Sequence, residues 1–139
     1  VVFSDGLEAP SFSFHGGAVT EAACGRQVRR ALALHPPQAG RSLADFRLTL
    51  PDSPLKLVTA MGLRDGAKSN GAGFRVEVNG REVFGQSVRA GGGWQPVEVN
   101  LSAWRGQSVL LTLVTDAEGD FNFDWCAWAE PKLVARTSP

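Results

Sequence analysis

The sequence predicts an all-β fold, a jelly-roll β-sandwich of two antiparallel sheets with about eight strands. Three observations carry that expectation. Apolar and polar residues alternate through much of the chain, as in Phe46-Arg47-Leu48-Thr49-Leu50 and Phe74-Arg75-Val76-Glu77-Val78, which is the period of a half-buried strand. No segment sustains a helical period. The 16 glycines and 8 prolines punctuate the chain with turn signals roughly every eight to twelve residues, the spacing of a sandwich or barrel.

Each element follows from local pattern. In Thr20–Leu34 the apolar positions alternate better than they recur at helical spacing, and Val28, Leu32 and Leu34 make Arg26–Leu34 a strand that Pro36 and Pro37 end. Leu43–Leu50 alternates, and Pro51-Asp52-Ser53-Pro54 turns the chain. Leu55–Leu63 is apolar enough to be buried on both faces, and Asp65–Gly73 is a loop. Phe74–Val78 and Glu82–Val88 flank Asn79-Gly80, a two-residue hairpin signal because both turn positions want positive φ. That turn sets Val76 opposite Val83 and Glu77 opposite Glu82, an unfavourable like-charge pair. After Gly91-Gly92-Gly93, Val97, Val99 and Leu101 alternate, Ser102–Gly106 turns, and Val109–Val114 reads as a central strand. Asp116–Asp120 is a polar loop, Phe121–Ala129 an aromatic strand and Lys132–Ala135 a short terminal one.

The 139 residues suit one domain with its own core. With 14 basic and 14 acidic residues the net charge is zero, and no block of like charge recommends nucleic acid or a membrane surface as partner. No membrane span or signal peptide is visible. The chain opens at Val1-Val2-Phe3 without a methionine, as a piece trimmed from a longer protein would. Cys24 and Cys126 leave two readings open, a disulfide or two buried thiols acting as small hydrophobes.

A set of short motifs then resembles a known family. His35-Pro36-Pro37 precedes Gly40-Arg41-Ser42, and a strand ends at Leu50-Pro51. Gly62-Leu63-Arg64-Asp65-Gly66 is followed by the Phe74–Gly80 hairpin arm, then Trp94, Val97–Ser102, Gly106-Gln107, and Phe123-Asp124-Trp125 through Trp128 and Pro131. This pattern, from Arg29 to Val134, resembles the galactose-binding-like β-sandwich superfamily, closest to the carbohydrate-binding module type that accompanies bacterial glycosidases. Residues 1–28 lie outside the resemblance, although the whole of 1–139 reads as a single domain. Asn100 and Cys126 depart from the pattern, which would have aspartate and alanine there. The resemblance implies non-catalytic sugar binding by a domain appended to a larger bacterial secreted or surface protein, an extracellular or cell-surface setting, and in many members one structural calcium.

The candidate ligand residues are Trp94, Arg64, Asn70, Asn122 and Asp124, all on inter-strand segments. Sugar C–H faces stack on indole rings, and polar side chains around the ring read the hydroxyls. Asn122 is the sugar contact that the resemblance implies. Asp124, between Phe123 and Trp125, either contacts ligand or pins its loop. Of the four tryptophans, Trp94 and Trp104 fall where an indole is partly exposed, while Trp125 and Trp128 point to opposite faces, so at least one belongs to the core. The run Asp116, Glu118, Asp120 and Asp124 offers oxygens to calcium, although its spacing is not that of an EF-hand. Asp116 and Asp120 are the metal candidates there, and the resemblance adds Glu130. His15 and His35 have no zinc-ligand spacing. A nucleophile elbow, a phosphate loop and a pair of well-separated glycosidase carboxylates are all missing, so an enzyme is not expected. The alternative reading is a structural or protein-interaction domain without a sugar ligand, its tryptophans buried or an apolar patch exposed.

Overall fold

The computed structural model describes residues 11–14, 17–34, 41–65, 71–89, 91–116 and 126–135. Ten strands run in chain order: β1 (Ser11–Phe14), β2 (Gly17–Cys24), β3 (Gln27–Leu34), β4 (Arg41–Thr49), β5 (Leu55–Leu63), β6 (Ala72–Val78), β7 (Arg81–Val88), β8 (Gln95–Asn100), β9 (Ser108–Asp116) and β10 (Cys126–Ala135). They form two five-stranded sheets, ordered β1-β4-β9-β6-β7 and β2-β3-β10-β5-β8, and every pairing is antiparallel. No described helix is long and apolar enough to cross a membrane.

The expected sandwich is present, with two strands more than the approximate eight. β1 and β2 lie before Arg26–Leu34, the first strand assigned from sequence, although the alternation from Thr20 already touched β2. The last two predicted strands are one: β10 runs past Pro131, and a bulge absorbs the extra residue between Ala129 and Lys132. Glu130 sits at the bulge with a φ of +43°, and Thr59 Oγ1 donates to the Ala129 carbonyl at 2.7 Å. Residues 121–125 of that predicted strand lie outside the described residues.

The core lies between the sheets. Phe46, Leu48, Phe74, Val76, Leu111 and Leu113 from one face meet Leu55, Leu57, Met61, Leu63, Val97 and Trp128 from the other. Trp128 is fully buried and meets Phe74 edge to face, centroids 5.2 Å apart. Its Nε1 has no hydrogen-bond partner among the described residues, an imperfection of about 1–3 kcal/mol that burial of the large ring outweighs.

The Asn79-Gly80 hairpin forms as expected, both residues at positive φ. Glu77 does stand opposite Glu82, but a bulge at Val83 puts Val76 opposite Phe84 instead. Arg75 offsets the like-charge pair, its Nε lying 3.1 Å from Glu82 Oε1 and its Nη1 3.3 Å from Asp116 Oδ2. Asn79 also extends the sheet: its N–H donates to the Leu110 carbonyl and its Oδ1 accepts from the Leu110 N–H.

The β2–β3 hairpin does not continue along β10. Only Ala31–Ala33 pair with that strand, and the tip instead reaches past the end of β5. Gly25 and Arg26, at φ +60° and +65°, form a two-residue turn. Their N–H groups donate to Asp65 Oδ1 and Oδ2 at 2.7 and 2.8 Å, and the Asp65 N–H donates to the Ala23 carbonyl at 2.7 Å. The hairpin thus covers the outer face of its own sheet. There Ala22, Ala31 and Ala127 form a second small core with Trp94 packed against it. Close approach needs small residues: a Cβ on Gly62 would fall 3.0 Å from Cys24 Sγ, and one on Gly25 3.0 Å from Gly93 Cα. Burial of β5 on both faces follows, since Ala60 and Gly62 are buried opposite Met61 and Leu63.

Cys24 and Cys126 are both buried thiols not bridged to each other, Cys24 on this outer face and Cys126 in the main core, so the thiol alternative is the one observed. Burial pushes the Cys24 thiol up to about 11, the Asp65 charge adding to the rise and Arg64 opposing it.

Two outcomes follow. Asp65→Ala strips the hairpin tip of two charge-assisted hydrogen bonds and should lower unfolding free energy by about 1–3 kcal/mol, measured by denaturant titration. At pH 8 the native protein should barely react with a thiol reagent, since a thiol titrating near 11 is thiolate in only about one molecule per thousand, and both thiols should react on unfolding. The folded thiol keeps its proton where the unfolded one, near 9.0, has lost it. Stability should therefore fall as pH rises from about 9 to about 11, and Cys24→Ala should flatten that slope.

Candidate functional site

Strand direction gathers most of the connections at one end of the sandwich. The C-terminal ends of β3, β5, β7 and β9 and the N-terminal ends of β4, β6, β8 and β10 all lie there, since Arg41 and Gly73 flank Asp116 in one sheet while Leu63 pairs with Cys126 and Met61 with Gln95 in the other. Among the described residues, the opposite end carries the β4–β5 connection, the Asn79-Gly80 turn and the Ser102–Trp104 3-10 turn before β9. The candidate ligand residues Arg64 and Trp94 both belong to the loop-rich end. Asn70, Asn122 and Asp124 lie outside the described residues, in segments whose flanking strand ends are at this same end.

The β2–β3 tip organises what is described there. Arg64 is half-buried, directly before Asp65, whose carboxylate and N–H lock to the tip. Trp94 is half-buried too, and its Nε1 donates to the Gln27 carbonyl at 2.8 Å. The Arg29 guanidinium lies 5.7 Å from the Trp94 ring centroid, a cation–π distance, and Arg29 Nε also reaches Glu130 Oε1 at 2.7 Å. One hairpin therefore sets both Arg64 and Trp94, and Trp94 spends its N–H and part of its ring area on that task. Gln86 Nε2 donates to Gln95 Oε1 at 3.1 Å, joining β7 to β8 beside Trp94.

The other tryptophans divide as their positions suggested. Trp128 is core, Trp104 is half-buried against the main core, and Trp125 lies outside the described residues, as do His15 and His35. Val28 is the one large apolar side chain exposed among the described residues.

A calcium site is not assembled by the described residues, among which no group of three or more acidic, histidine or cysteine side chains converges. Asp116 faces Arg75 in one sheet, and Glu130 faces Arg29 at the β10 bulge in the other. Each carboxylate is thus engaged by an arginine, a poor starting point for a hard cation that wants about six to eight oxygens. Asp120 lies outside the described residues.

Sequence reasoning overlooked Asp65, Arg26 and Arg29. Gly25 between two apolar runs was a local sign of the turn, but nothing local tells that Asp65, 40 residues away, caps it.

No protein-family model and no curated protein sequence matches the chain significantly. Solved structures do. A family 51 carbohydrate-binding module (CBM51) from a Clostridium perfringens family 95 glycoside hydrolase, in complex with methyl-galactose, matches with a TM-score of 0.69 at 18% identity, covering 96% of this chain and 99% of that one. The tandem CBM51 modules of a family 98 glycoside hydrolase from Streptococcus pneumoniae give 0.69 at 13% identity, covering 99% of this chain and 48% of that one. A family 35 module from Clostridium thermocellum gives 0.57 at 12%, covering 94% and 96%. Against the Clostridium perfringens ZmpB structure that holds a CBM51 with a further domain, the chain spans 30% of the partner's length. The chain thus shares the β-sandwich fold of these solved CBM51 and CBM35 modules.

Proposed function

We propose that this chain is a non-catalytic carbohydrate-binding module, carried by a larger bacterial secreted or surface protein and working outside the cell. The observation that carries the reading is its end-to-end likeness to a single free-standing CBM51 solved with methyl-galactose, 96% of one chain against 99% of the other. The loop-rich end supports it, because connections from both sheets bring a half-buried indole and an arginine to one edge. Stacking by an aromatic ring with hydrogen bonds from fixed polar groups is how such an edge holds a sugar. Arg64 is its best-set polar group, with Asn70, Asn122 and Asp124 on the adjoining segments and Trp94 as the aromatic wall. The comparison modules attached to glycoside hydrolases support a role in holding a partner domain near its glycan, where tethering raises effective concentration.

A glycan array tests this. We expect a hit with a dissociation constant in roughly the micromolar to millimolar range, weakened at least about tenfold by Arg64→Ala and by Asn122→Ala. Chelator should leave it unchanged, because Asp116 and Glu130 already engage Arg75 and Arg29. Loss of the hit in chelator would bring calcium into the site. An empty array would favour the structural or protein-interaction domain.

A further inference from the structure

Arg26 occupies a conformation its side chain makes costly. It is the second residue of a two-residue turn with φ +65°, where glycine, asparagine or aspartate fits with far less strain. Backbone strain of this kind points to function when the surrounding structure over-determines it, and here the Asp65 carboxylate does so by accepting both turn N–H groups. The turn would form with glycine at 26 as well, so the clamp does not explain why an arginine stands there.

Arg26 is exposed, and neither it nor Arg64 has an ion-pair partner among the described residues. The two arginines share one anchor. Arg26 donates its N–H to Asp65, and Arg64 is the residue before Asp65. Asp65 carries a single negative charge, and each of its oxygens already accepts a backbone N–H at 2.7 or 2.8 Å, so it offsets at most one of the two positive charges and the pair stays net cationic. Two arginines whose backbones are anchored at one carboxylate, neither with an ion pair of its own among the described residues, are suited to a carboxylate or sulfate on a ligand, which takes paired N–H donors in planar geometry.

We infer that Arg26 is a ligand-contacting residue, presented beside Arg64 by the Asp65-capped turn, and that the two select glycans bearing an acidic group, a uronate, sialate or sulfate. The inference rests on the carbohydrate-binding reading above and names the ligand class of that same edge. Asp65 is then the positioning residue of the pair.

The test compares wild type with Arg26→Gly on matched glycan pairs, galacturonic acid against galactose and N-acetylglucosamine 6-sulfate against N-acetylglucosamine, with Tm recorded for both proteins. Glycine relieves the strained φ, so Arg26→Gly should raise Tm while weakening binding of the acidic member about tenfold and sparing the neutral one. Raising salt from about 0.05 to about 0.5 M should weaken the acidic member selectively. A residue with a purely structural role would not separate stability from binding in this way. Wild type that binds neutral and acidic members equally, or Arg26→Gly that binds the acidic member as wild type does, would overturn the inference while leaving the carbohydrate-binding reading intact. Failure of every glycan to bind would overturn both.

Discussion

A hairpin tip with two consecutive residues at positive φ turns its N–H groups outward to the same side, and those donors need an acceptor. Asp65 supplies one oxygen to each, and much else at the loop-rich end depends on that contact. It bends the β2–β3 hairpin across the outer face of its sheet instead of letting it run beside β10. It brings Gln27 within reach of the Trp94 indole, sets Cys24 against Gly62 and fixes the backbone on either side of Arg64. A charge-assisted hydrogen bond to backbone N–H groups is among the stronger polar contacts available to a protein surface, and here two of them tie segments about forty residues apart in the chain.

The two sheets use their outer faces differently. The outer face beneath the hairpin is made of alanine and glycine because another layer of backbone lies upon it; Ala22, Ala31 and Ala127 leave room that larger side chains would fill. Trp94 closes the edge of that layer, with Arg29 and Glu130 completing a polar rim. The outer face of the other sheet instead carries charge, and Arg75 sits between Glu82 and Asp116 where the β6–β7 hairpin would otherwise set two glutamates against each other unrelieved. Exposed pairs of this kind contribute little each to stability, so their main effect is to fix register and keep the face wet.

For the binding proposed above, an edge assembled from connections of both sheets has a physical advantage. The strands beneath it are pinned by a common core, so residues distant in sequence are held at set separations and little is left to be ordered on binding. Under the proposed function, the same construction would let the edge change ligand by changing loops while the sandwich stays the same; the fold itself matches with a TM-score of 0.69 at 18% identity.

Alternation of apolar residues, the proline and glycine punctuation and the Asn79-Gly80 turn were enough to read the sandwich, most of its strands and the burial of Phe74 and Val76, because strand pattern and two-residue turns are local properties written in adjacent residues. The motif series from His35 to Trp128 resembled a β-sandwich family and so agreed with the fold. What lay beyond the sequence was long-range. The β10 bulge depends on how Thr59 meets Ala129, the shift of Val83 on Arg75 reaching both Glu82 and Asp116, and the second small core on a hairpin folding back over its own sheet. Arg26 and Asp65 gave no local sign of belonging together. By itself the sequence determined which residues turn inward and where the chain turns. Only the tertiary structure decided which turn meets which carboxylate, because a hydrogen bond between residues 25 and 65 is specified by the packing of everything that brings them together.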